Sequence, residues 1–249
     1  MKIQVISSGS HGNCTVLRDN GKRLIVDAGI KGKQLIQGLC GTYTNISGAF
    51  VTHEHGDHAK GVPDLLRAGV RVYSAYATFD ELGEVKGIGS IAEHRNTVSV
   101  EAGTAVELEG YTVLPFYSYH DCREPLNYLV RCSQSGRKIA YITDTGYINS
   151  EFRDIDVLMI ECNYIDDVLE ANIAKYPQLE VIRNRIQGTH LSLKKVIEFV
   201  QSQDLRRCRK IILTHLSDRN SNARRMSREV QTVCAVPTVA VADGDIFEI

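Results

Sequence analysis

No two cysteines in this chain of 249 residues stand in a CxxC spacing. Its seven cysteines, at 14, 40, 122, 132, 162, 208 and 234, are an odd and scattered set. That excludes a disulfide framework and reads as small buried residues in a reducing compartment. With only five prolines and no linker-like composition, nothing marks a boundary between halves, so residues 1–249 are expected to form a single domain. No apolar run approaches the roughly 20 residues of a membrane span. The opening Met1-Lys2-Ile3-Gln4-Val5-Ile6 alternates like a strand and lacks the apolar core of a signal peptide, which predicts a cytoplasmic protein with no membrane partner. Net charge is also nearly absent, at -1, so any attraction to nucleic acid must come from local basic patches. The loop Ser7-Ser8-Gly9-Ser10-His11-Gly12-Asn13 lacks the spacing of a P-loop or a dinucleotide fingerprint. It reads either as a tight turn or as an amide-rich edge of a substrate mouth.

What the chain does have is Thr52-His53-Glu54-His55-Gly56-Asp57-His58, with three histidines and an aspartate inside six residues. Imidazole and carboxylate crowded at this density suit a divalent metal better than a packed core. Gly48 to Val51 reads as a short apolar strand and Ala59 to Ala68 as a helix, so the cluster sits at a strand end, open to a substrate. The position four residues after His53 is Asp57, which rules out the HExxH helix of a thermolysin-type zinc site.

Strand ends recur. Asp27 follows Leu24-Ile25-Val26, Asp144 closes the run from Lys138, and His215 follows Ile211 to Thr214. Asn20-Gly21 and Ser135-Gly136 mark hairpin turns. His120 lies between two strand-like segments. Asp27 could cap the following helix or orient a metal-binding loop. His190 precedes a helix capped by Ser192 and is placed to meet a phosphate there. Arg206, Arg207, Arg209 and Lys210, with Arg224, Arg225 and Arg228, are solvated surface or contacts for a nucleic-acid backbone. His53, His55 and His120 can form one nitrogen-rich site and Asp57, His58 and His215 another, with Asp144 between them. Two ions roughly 3.5 to 4 Å apart could then stabilise both attacking and leaving oxygens of a hydrolysis.

These residues resemble the metallo-beta-lactamase fold superfamily. His53-x-His55-x-Asp57-His58 matches its HxHxDH signature, and Asp27, His120, Asp144 and His215 match its other motifs in order. The resemblance spans essentially the whole chain and implies an α/β fold, an αβ/βα four-layer sandwich of the metallo-beta-lactamase type. It implies two divalent ions, Zn²⁺ or Mn²⁺, held by His53, His55, Asp57, His58, His120, Asp144 and His215. Asp57 would also orient the attacking hydroxide as a catalytic residue, and Asp27 would tune the neighbouring histidines. Glu161-Cys162-Asn163, Gly188-Thr189-His190-Leu191-Ser192 and Leu213-Thr214-His215-Leu216-Ser217 resemble the bacterial branch that includes a 5'-3' DNA exonuclease associated with a cell-wall regulatory operon. Tyr164 stands where that branch usually has histidine. His190 is similar to the extra histidine of transfer-RNA 3'-processing members, which implies a catalytic role at the scissile phosphate or the leaving oxygen.

The resulting expectation is a metal-dependent phosphodiester hydrolase, most specifically a DNA exonuclease, with nucleic acid as substrate and a homodimer allowed. The alternatives are a small-molecule or cyclic nucleotide phosphodiesterase, a transfer-RNA-processing-like ribonuclease, and a thioester or lactone hydrolase, which needs no phosphate-positioning histidine. A binding protein with a decayed site would lack a ligand, and every ligand position is filled.

Overall fold

The computed structural model describes the backbone of residues 1–249. Its strands make two large mixed sheets with flanking helices, the α/β sandwich that the resemblance implies. The chain divides into two compact units: Met1–Tyr117, Cys122–Arg137 and Ala242–Ile249 form the first, and Ser118–Asp121 with Lys138–Val241 the second.

In chain order the first unit runs through β1 (Lys2–Ser7), β2 (Cys14–Asp19), β3 (Lys22–Val26), α1 (Gly32–Gly38), β4 (Ile46–Phe50), α2 (Gly56–Ala59) and α3 (Val62–Arg67). It continues through β5 (Val72–Ser74), α4 (Tyr76–Leu82), β6 (Glu84–Val85), β7 (Gly89–Ser90), β8 (Thr97–Ser99), β9 (Val106–Leu108), β10 (Tyr111–Tyr117) and β11 (Leu126–Cys132). The second unit holds β12 (Lys138–Ile142), β13 (Val157–Glu161), α5 (Asp166–Lys175), α6 (Glu180–Thr189), α7 (Leu193–Ser202), β14 (Lys210–Thr214), α8 (Ala223–Cys234) and β15 (Thr238–Ala240). A last strand, β16 (Ile246–Glu248), returns to the first unit and pairs antiparallel with β1.

In the first unit the strand order is β16-β1-β2-β3-β4-β5-β8, antiparallel up to β3 and parallel beyond it. Asn20 and Gly21 both take positive φ, 45° and 76°, which gives the β2–β3 hairpin the twist that a two-residue turn needs. Alternation in β1 turns Ile3 and Val5 inward, and Val16, Ile25, Leu35, Ala49, Leu65, Val72 and Phe79 belong to the core. In the second unit β12, β13, β14 and β15 are all parallel neighbours. All five residues of β13 are buried, as expected of a parallel strand covered on both faces. Ser192 caps α7, its Oγ accepting from Lys195 N at 3.3 Å, and Leu193, Val196, Phe199 and Val200 are buried along that helix.

The structure differs from the sequence reading in two places. The helix expected over 59–68 is two helices, α2 and α3, broken near Gly61. Gly61 N donates to Ala28 O at 2.6 Å, and a Cβ on Gly61 would meet Ile30 O at 2.7 Å. Glycine is therefore required by close backbone approach, and Pro63 opens the next helix in its first turn, where a missing N–H costs little. Helix α6 was not read from the sequence; it has no buried residues and so no apolar stripe to betray it. The glycine-rich stretch 83–89 contains β6 and leads into the small hairpin β6–β7. Among the described residues, no helix is long and apolar enough to cross a membrane. Four cysteines, Cys14, Cys132, Cys162 and Cys208, are buried.

Candidate functional site

In the first unit, Asp27 leaves the end of β3 with a left-handed φ of 61°, and its carboxylate is completely buried. Oδ1 accepts from the Thr52 amide and the Thr52 hydroxyl, both at 2.9 Å, while Oδ2 lies 2.9 Å from His58 Nδ1. A carboxylate there keeps the proton of His58 on Nδ1 and gives Nε2 the lone pair. Thr52 acts similarly on its neighbour. Because its hydroxyl proton goes to Asp27, its oxygen accepts from His53 Nδ1 at 3.0 Å, so the His53 lone pair also sits on Nε2. The rings of His53 and His58 are 4.2 Å apart between centroids, and those of His53 and His55 4.7 Å. Asp57 is half-buried, with Oδ2 3.7 Å from His58 Nε2.

The segment bearing these groups is pressed onto residues 27–29. Ala28 N donates to His58 O at 2.8 Å, and a Cβ on Gly29 would fall 1.6 Å from Asp57 O. Asn13, whose role the sequence left open, closes its own loop and also holds the histidine segment. Its Oδ1 accepts from Gly9 N at 2.9 Å and its Nδ2 donates to Asp57 O at 3.2 Å, with the same Nδ2 3.1 Å from His58 Nε2.

The second unit gathers His120, Asp144, Glu161, His190 and His215. Asp144 and His215, at the ends of β12 and β14, also have left-handed φ, 43° and 51°. A histidine in that region is strained, and such strain is retained where the surroundings over-determine it. Asp144 turns one oxygen to each of two histidines: Oδ2 lies 3.4 Å from His120 Nε2, and Oδ1 lies 3.4 Å from His215 Nε2. His120 Nδ1 donates to Thr189 O at 3.0 Å, which places its lone pair on Nε2, facing that carboxylate oxygen. Burial lowers the pKa of His120, and the charge of Asp144 acts against it. A lone pair and an anionic oxygen held face to face repel unless a cation lies between them, so this donor set fits a divalent metal.

Glu161 is the residue that sequence reasoning missed. It ends β13 fully buried, with Oε1 accepting from Thr145 N at 2.7 Å and Leu191 N at 3.2 Å. Its Oε2 takes His190 Nδ1 at 2.9 Å. The local signals were a charged residue closing an all-apolar strand and the Glu161-Cys162-Asn163 motif, neither of which pointed to His190. His190 stacks on His215 at 5.5 Å between centroids, and the ligand atoms of Asp144, Glu161, His190 and His215 lie within 4.8 Å of one another. Clusters of histidine and carboxylate able to chelate divalent ions are thus present. Asn163 Nδ2 lies 3.1 Å from His215 Nδ1 and donates to its backbone O at 3.0 Å, fixing the ring.

Tyr164, in the place of the branch's histidine, is buried in a small core with Leu169 and Ile173, and burial pushes its phenol up to about 12. Four of the basic residues singled out in the sequence are ion-paired: Arg206 with Asp204, Arg207 with Asp154, Arg209 with Asp156, and Arg225 with Asp167 and Glu229.

The chain is similar to known proteins. The chain is 31% identical over 189 residues to an exodeoxyribonuclease YycJ of Bacillus anthracis, covering 71% of this chain and 67% of that protein. It is 28% identical over 228 residues to an exodeoxyribonuclease WalJ of Streptococcus pneumoniae, covering 88% of this chain and 83% of the other. The metallo-beta-lactamase fold protein YhfI of Bacillus subtilis superimposes with a TM-score of 0.73 at 17% identity, over 100% of this chain and 99% of that one. A model of the beta-lactamase superfamily domain matches residues 22–216, and with that span covering most of the chain, the protein belongs to the beta-lactamase superfamily.

Proposed function

We propose that the protein is a metal-dependent phosphodiester hydrolase, and most specifically a DNA exonuclease. The observation that carries this reading is the hydrogen bond from His190 Nδ1 to the buried carboxylate of Glu161, beside Asp144 and His215. A thioester releases a thiolate that leaves without a proton, whereas a sugar alkoxide departing from phosphorus needs a proton donor at this place. The two exodeoxyribonuclease relatives support the choice of DNA.

In this reading His53, His55 and His120 would hold one divalent ion and Asp57, His58 and His215 the other, with Asp144 available to both. Zn²⁺ or Mn²⁺ bound there would act as a Lewis acid on the phosphoryl oxygens and lower the pKa of water. The chain's own groups do the rest. Asp27 and Thr52 keep the protons of His58 and His53 on Nδ1, which leaves the Nε2 lone pairs as the donors that would serve the ions. Asp57 accepts a hydrogen bond from the attacking water and orients it. His190, anchored through Nδ1, donates from Nε2 to the departing oxygen, and Glu161 stabilises the charged imidazole. Residues 1–249 act as one catalytic domain in the cytoplasm, and the 5'-3' direction follows the branch that the sequence resembles.

Metal-reconstituted protein should degrade end-labelled double-stranded DNA in preference to single-stranded DNA, RNA and cyclic nucleotides. Cleavage of cyclic nucleotides alone would overturn the exonuclease reading.

A further inference from the structure

Two tyrosines in the second unit expose large aromatic surface that the fold does not use. Tyr147 is 52% exposed and Tyr119 36% exposed, yet their rings stack with centroids 3.8 Å apart and planes 21° from parallel. Tyr119 is the residue before His120, and Tyr147 lies three residues after Asp144.

The backbone beneath them is tied down without help from the rings. Gly146 N donates to Tyr119 O at 2.8 Å, Tyr119 N donates to Thr145 Oγ1 at 3.1 Å, and Thr145 Oγ1 donates to Tyr147 O at 2.7 Å. Thr145 N is held by Glu161, the carboxylate that also holds His190. Lys195 Nζ donates to Gly146 O at 2.7 Å and Gln187 O at 2.8 Å, and Gly146 packs so closely that a Cβ would meet Gly188 O at 1.9 Å. The stacked pair is therefore mounted on the same rigid scaffold that carries His120, Asp144 and His190. Tyr147 also borders a recess of about 380 Å³ lined by Ile148, Leu191, Lys195 and Phe199, with Leu191 following His190 directly.

We propose that Tyr119 and Tyr147 form a stacking platform for the nucleobase next to the scissile phosphate. The proposal rests on the phosphodiesterase reading and names the part of the substrate that the site grips. A base hangs from the sugar that carries the reacting phosphate, so its subsite must lie close in space to the groups that meet that phosphate, and Tyr119 and Tyr147 lie close to His120 and Asp144 in the chain. Exposed aromatic faces bind bases of any identity, because every base has a π-face. This supplies grip without sequence preference.

The test uses metal-loaded protein and strands whose terminal linkages are phosphorothioates, so that binding is read by fluorescence anisotropy before cleavage. One strand carries normal terminal nucleotides; the other is abasic at both ends. Removing the terminal bases is expected to weaken binding to the wild-type protein about 10-fold, the scale of one lost base–aromatic stack. Tyr147→Ala should bind the normal strand as weakly as the wild type binds the abasic one, and should show no further loss on the abasic strand. Tyr147→Phe, which keeps the ring, should restore the difference. Equal binding of the two strands by the wild type, or a Tyr147→Ala loss that is the same on both, overturns the platform. Ordinary phosphodiester strands cleaved without regard to terminal bases overturn it too, while leaving the phosphodiesterase reading intact. Base-dependent binding with no cleavage of any strand supports the platform as a binding site and defeats the phosphodiesterase reading.

Discussion

Replacing Glu161 by glutamine separates a proton-positioning role from a purely structural one. The side chain is fully buried and has three partners, Thr145 N, Leu191 N and His190 Nδ1. Glutamine keeps an acceptor for the two amides, so the β13 end and the Asp144 loop stay in place. At Oε2, however, an acceptor becomes an NH₂ donor, which forces the His190 proton from Nδ1 to Nε2 and removes the charge that stabilises the imidazolium. A charge-assisted hydrogen bond contributes about 1.5–3 kcal/mol. If that interaction is made fully only when His190 is protonated in the transition state, turnover falls by roughly 10- to 100-fold. The assay compares kcat for DNA, whose leaving alkoxide needs a proton, with kcat for bis(p-nitrophenyl) phosphate, whose leaving group does not. Glu161→Gln should lose activity mainly on DNA, with metal content unchanged by elemental analysis and with KM little affected. Equal losses on both substrates would refute the proton-donor argument, and a fall in metal content would make Glu161 a ligand instead.

Four further outcomes follow from the geometry. His190→Ala should keep two metals per chain and lower DNA turnover by about 10²-fold, the scale of lost general acid catalysis; full turnover would remove His190 from the chemistry. Asp144→Ala should reduce metal content measured by elemental analysis, since each carboxylate oxygen faces a different histidine, and an unchanged two-ion content would defeat its bridging role. Asp27→Asn should weaken metal affinity by about 10- to 100-fold in a chelator competition, because the amide cannot both accept from Thr52 and hold the His58 Nδ1 proton. Chemical denaturation should show Gly29→Ala strongly destabilised, since its Cβ would overlap the Asp57 carbonyl backbone; a variant within about 0.5 kcal/mol of the wild type would mean the two segments separate easily.

The proposed ligand residues were legible because their signals are local. HxHxDH is a run of six residues, and the other carboxylates and histidines sit directly after apolar strands that periodicity alone can find. Strand ends are where a sheet stops burying side chains, so polar groups there have one rim to occupy. The cap Ser192 was readable for the same reason. Helix α6 was not, because an exposed helix carries no stripe.

Sequence by itself therefore determined the superfamily and the donor chemistry. Tertiary structure alone decided what those donors are tied to. Glu161 reaches a histidine 29 positions away, Asp27 a histidine 31 away, and Asn163 a histidine 52 away. Such pairings depend on strand register and loop packing, which set distances to a fraction of an ångström, whereas residue spacing along the chain carries no information about them. The stacked tyrosines and the arginines matched to Asp154, Asp156 and Asp167 belong to that second kind of fact. In sequence each is an ordinary surface residue; folding supplies the partner.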